Sequence, residues 1–96
     1  MIVHIVKFEF KEENRAENLE KTKVMLESLV EKIEPLKRME VGINFNESER
    51  AMDLALISEF DTKEGLQAYA VHPAHLEVVM FIKEVTTLSK VVDYEK

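Results

Sequence analysis

Residues 69–76 read Tyr-Ala-Val-His-Pro-Ala-His-Leu and hold two of the chain's three histidines, His72 and His75, on either side of Pro73. The remaining one, His4, lies near the N-terminus. Imidazole changes charge near neutral pH and presents two distinct ring nitrogens, so such a cluster has two chemical uses, proton transfer and metal ligation. Three histidines could share one divalent ion, and His72 and His75 stand on neighbouring parts of a helix start. No carboxylate or cysteine stands at a diagnostic ligand spacing, however, and no metal is expected. Each residue also has a plainer reading. His72 precedes a proline where a helix begins, His75 packs or is solvated on that helix, His4 is a satisfied core histidine, and Tyr69 fills the core.

Composition narrows the chemistry further. The 96 residues make one expected domain, 1–96, large enough to bury a core without help. Hydrophobic residues are 46% and charged residues 33%, the balance of a folded chain rather than a disordered one. With a formal net charge of −6 and no basic block, neither nucleic acid nor an anionic membrane surface is an expected partner. The absence of cysteine excludes disulfides and thiolate nucleophiles and fits a reducing cytoplasm. The opening MIVHIVKFEF has no basic flank and no small-residue cleavage site, so it is not read as a signal peptide.

The elements that must position these residues follow from periodicity. Residues 2–10 alternate as a strand, with Ile2, His4, Val6, Phe8 and Phe10 on one face and Val3, Ile5, Lys7 and Glu9 on the other. From Lys11 to about Ile33 the spacing is helical, with Leu19, Leu26, Leu29, Val30 and Ile33 on one stripe. Pro35 ends that helix near Glu34. Met39, Val41, Ile43 and Phe45 then alternate with polar residues as a second strand, NESER turns the chain, and Met52–Phe60 is a third. Asp61, three residues before Glu64, is placed to cap the next helix, which carries Leu66 and Tyr69 inward and yields at His72. Pro73 starts a further helix, with Leu76, Val79, Met80 and Lys83 in sequence, that runs to about Val85, and LSKVVDYE closes the chain as a strand.

The predicted fold is therefore α+β, a ferredoxin-like βαββαβ arrangement of a four-stranded antiparallel sheet with helices on one face. The other face, lined in this reading by Val3, Ile5, Ala55, Ile57 and Val91, would be apolar and bare, which points to a homodimer.

Taken together, HIVKFEFKEE, GINFNESE, YAVHPAHLEVVMFIKEV and VVDYE resemble the stress-responsive dimeric α/β-barrel family, Dabb, over nearly the whole chain in the right order. The most specific part is HPAH preceded by an aromatic residue and followed by an apolar helix and VVDY. The resemblance implies a homodimer in which two sheets form a barrel, with a pocket between each sheet and its helices. Its polyketide cyclases, of the olivetolic acid cyclase type, close a chain by an aldol step with a tyrosine and a histidine. The matching residues in this sequence are Tyr69 and His75, and His4 and His72 match two further histidines.

Such chemistry needs a base for a proton alpha to a carbonyl and a donor for the resulting oxyanion, and no cofactor. His75, in the first turn of a helix, would stay neutral beside the positive end of the helix dipole. Tyr69, with an ordinary pKa of ~10, would donate a hydrogen bond. His4 and His72 would orient these groups or bind substrate. Two functions are then expected to compete. One is a protein that holds a small carbonyl or polyketide-like compound, with cyclase or lyase chemistry by Tyr69 and His75. The other is a non-enzymatic, stress-related or scaffolding homodimer.

Overall fold

The computed structural model describes all residues, 1–96. Four strands, β1 (Ile2–Phe10), β2 (Leu36–Ile43), β3 (Leu54–Phe60) and β4 (Thr86–Glu95), form one antiparallel sheet in the order β2-β3-β1-β4. Four helical segments, α1 (Arg15–Glu27), α2 (Leu29–Lys32), α3 (Lys63–Ala70) and α4 (Pro73–Val85), complete the ferredoxin-like arrangement. The first and last strands pair side by side, with Ile2 opposite Glu95 and His4 opposite Asp93.

Alternation along β1 explains the layer structure. Ile2, Val6, Phe8 and Phe10 are buried under the helices, and their β3 partners Leu54, Leu56 and Phe60 extend the same floor. Leu26, Leu29 and Ile33 descend onto it from α1 and its continuation, while Val30, expected on that stripe, faces outward.

Other expectations shift in detail. Phe45 falls beyond the end of β2 and is 96% exposed, because the strand pairing stops at Ile43 opposite Leu54. Thr62, not Asp61, caps α3, its side-chain oxygen accepting from the Gly65 N–H at 3.0 Å. On α4 the buried residues are Val78 and Ile82, whereas Leu76 and Met80 are exposed. This helix is apolar on nearly every side, so its own periodicity does not choose the inward face; the floor of β1 and β3 does.

The break between α3 and α4 is built as the proline dictates. His72 is extended (φ −66°, ψ 134°), as a residue before proline must be, and Pro73 opens α4. The His72 Nδ1 accepts from the Ala74 N–H at 3.0 Å, so the imidazole itself caps the helix. Removing the cap in His72→Ala should cost about 1 kcal/mol, lowering Tm by roughly 4–8 °C for a domain of this size. His72→Asn should restore most of it, and calorimetry on the three proteins checks this.

On the helix-free face, Ile5 lies between Ile57 on β3 and Val92 on β4. Ala55 and Tyr94 share that face by register, and Val3 does too, although its side chain is buried already. Val91 does not: it pairs with Val6 and so points to the helix side, and Val92 takes its place. Nearly all of β4 is exposed, since no helix covers this edge of the sheet.

Candidate active site

Tyr69 ends its helix under α4 and is 1% exposed. Its ring packs on Phe60 with centroids 5.1 Å apart and on the His75 imidazole at 4.2 Å, while His4 approaches edge-on at 6.4 Å. The proline break produces the second of these contacts, because it folds the first turn of α4 back over the last turn of α3. These three residues line one cavity of about 160 Å³ between the sheet and the helices. Val6, Phe8, Leu56 and Ile82 make its apolar walls. His72 lies outside this lining, occupied as the cap of α4.

Hydrogen bonds fix the histidine tautomers. His75 Nδ1 lies 3.1 Å from the carbonyl oxygen of Ala70, which can only accept. The proton is therefore on Nδ1, and in the neutral ring Nε2 carries the free lone pair. The same carbonyl is one of the orphan acceptors at the end of α3, so one contact satisfies the helix and sets the base. His4 Nδ1 likewise donates to the Asp93 carboxylate, leaving its Nε2 open. The β1–β4 register makes this pair, joining residues 89 positions apart.

Burial sets the charge states. Desolvation lowers the His75 pKa below its ordinary 6.5, helped by His4 and His72 nearby and opposed by the bond to Ala70. Burial is the largest of these causes. Burial likewise raises the Tyr69 hydroxyl above its ordinary value, so it remains a donor at neutral pH. A neutral imidazole and a protonated phenol thus lie ring against ring, tilted by 38°, beside the same cavity.

Sequence reasoning missed three polar contributors here. Asp93 orients His4, and Lys83 and Ser89 line the cavity. Lys83 stands on a helix whose sequence does not mark an inward face, and Ser89 and Asp93 depend on strand register, which the sequence does not state. No group of three or more His, Cys, Asp or Glu side chains is arranged to hold a metal ion, and no helix is long and apolar enough to cross a membrane.

A dimeric protein of unknown function with a ferredoxin-like fold from Bacteroides fragilis is 31% identical, with a TM-score of 0.90 over 99% of this chain and 95% of its own. A protein from Arabidopsis thaliana is 26% identical, with a TM-score of 0.89 over 100% and 95%. A hydroxynitrile lyase from Passiflora edulis shares the fold at 15% identity, with a TM-score of 0.86 over 97% and 90%. No curated protein matches the chain. The model of the stress responsive A/B barrel domain, Dabb, matches residues 2–96, and the chain belongs to this family.

Proposed function

We propose that the protein is a homodimer whose protomers each hold a small carbonyl compound against Tyr69 and His75, and that this pair performs cofactor-independent acid–base chemistry on it. One observation carries the reading: the His75 imidazole, with Nδ1 committed to Ala70 and stacked 4.2 Å from the Tyr69 ring, lines the same apolar cavity as the tyrosine. The dimeric ferredoxin-like relatives support the assembly. A hydroxynitrile lyase shares the fold at 15% identity, which supports an enzymatic reading.

The step is balanced within the site. His75 Nε2 takes a proton from the carbon alpha to the carbonyl, and the bonding pair moves onto the carbonyl oxygen as an enolate. Tyr69 donates a hydrogen bond to that oxygen and keeps its own proton. The carbanion then adds to a second carbonyl, whose oxygen recovers the proton from the imidazolium. His4, held by Asp93, binds or orients the substrate.

Size favours the small end of the substrate range. A cavity of about 160 Å³ holds a benzene-sized group, whereas an extended polyketide chain needs more room. The test is turnover of small aldol donors and acceptors by the wild-type protein, Tyr69→Phe and His75→Gln. Loss in both variants supports the reading; equal turnover in all three sinks it. A protein that neither binds nor turns over any such compound fits the non-enzymatic dimer instead.

A further inference from the structure

The cavity has a second polar end. His75, Val79 and Lys83 recur every four residues along α4, and all three line it. Eight residues of helix place Lys83 about 12 Å along the axis from His75. The Cα–Cβ bonds of a helix tilt toward its N-terminus, which leans the lysine stem back toward the histidine. Ser89, opposite Phe8 in the β1–β4 register, faces the same space from the sheet. The neighbouring Thr86 hydroxyl is already used, donating to the Ile82 carbonyl at 2.8 Å.

Charge is unusual here. The chain has 19 acidic residues against 13 Lys and Arg, yet no carboxylate lines this cavity and Lys83 does. Asp93, just behind, is engaged by His4. Lys83 itself joins none of the chain's ion pairs. A cation in the last turn of a helix is favoured by the dipole, and that explains its sign. It does not explain why this lysine is on the cavity stripe with His75 rather than on the solvent face of α4.

We propose that the ligand is a carbonyl compound bearing a carboxylate, with the anion held at the mouth by Lys83 and Ser89 and the carbonyl directed to Tyr69 and His75. This rests on the small-carbonyl reading of the same cavity and adds the class of compound it selects. The carbon skeleton lies on the apolar walls between the two polar ends. Lys83 is a specificity determinant in this arrangement, distinct from the acid–base pair.

2-Hexanone and 5-oxohexanoate make a matched pair of probes, since a methyl group in one replaces the carboxylate of the other and three methylenes separate that group from the carbonyl. Their affinities are read from amide and imidazole shifts in the 96-residue chain. 5-Oxohexanoate is expected to bind at least tenfold more tightly, with shifts at Tyr69, His75 and Ser89, and the preference should shrink as salt is raised. Lys83→Gln should weaken 5-oxohexanoate about tenfold and leave 2-hexanone within twofold, while Lys83→Arg keeps the preference. Lys83 is exposed, so neither variant should disturb folding, which Tm verifies. Equal binding of both probes, or a preference untouched in Lys83→Gln, overturns the anionic class while the carbonyl site stands. If neither probe shifts Tyr69 or His75, the carbonyl reading falls with it.

Discussion

In Tyr69→Phe and in His75→Gln, turnover of a small carbonyl substrate is expected to fall roughly 100- to 10,000-fold, the usual contribution of a positioned acid or base. The two losses should not add, because the pair acts on one transition state. Tyr69→Phe keeps the ring on Phe60 and His75 and removes only the hydroxyl, so the fold should survive with a small change in Tm. The effect should appear in kcat more than in KM, since the donor bond strengthens as the oxygen gains charge. In His75→Gln the amide can still meet the Ala70 carbonyl, so the end of α3 stays satisfied while the base is gone. Steady-state kinetics on purified variants, with circular dichroism to confirm folding, distinguishes lost chemistry from lost structure.

A cation placed at Ile5 should separate the dimer. Ile5 stands between Ile57 and Val92 on the face the helices leave free, in the middle of an apolar row. Val92 is 59% exposed and Tyr94 45%, a surface of the sort that partners cover. Two-fold symmetry would bring each substitution in twice, so Ile5→Lys buries two like charges in one interface. Several kcal/mol is the ordinary cost of such a juxtaposition, which corresponds to more than about a hundredfold in the dimer dissociation constant. A lysine stem lies down along apolar surface in the free protomer, so the fold itself should tolerate the change. Analytical ultracentrifugation over a concentration series should show a dimer for the wild type and a monomer for Ile5→Lys. A wild-type chain that is monomeric at all concentrations removes the assembly from the account.

The fold was largely legible because its signals are local. Period-two alternation in residues 2–10 and around Val41 marks strands, and two prolines mark where helices must stop. The details that failed are those that neighbours decide. α4 is apolar on most sides, so its sequence alone does not separate the exposed Leu76 and Met80 from the buried Val78 and Ile82. Asp61 and Thr62 are both good caps, and the choice between them is one residue of helix phase. Phe45 continued the alternation after its pairing partner had run out.

The site divides in the same way. Tyr69 and His75 are close in sequence, and the proline between them makes their meeting readable. His4 could be placed on the correct face by parity alone. Asp93 and Ser89 reach the site only through the pairing of the first and last strands, whose register depends on the whole sheet. His72 admits both a structural and a chemical reading from its place before Pro73, and its Nδ1 is occupied in capping the helix.

The proposed chemistry requires His75 to be a neutral base sharing one desolvated cavity with Tyr69. A histidine whose folded pKa is lowered binds its proton less readily than in the unfolded chain. Native stability from this group is therefore fully present above the ordinary value of 6.5 and is lost as pH falls through the folded value. The measurement is an NMR pH titration of the imidazole nitrogens in wild type and in Tyr69→Phe. His75 is expected to stay neutral as the Nδ1–H tautomer below pH 6.5, and its titration to move when the tyrosine hydroxyl is removed. A His75 that titrates as a free histidine and ignores the tyrosine change would contradict it.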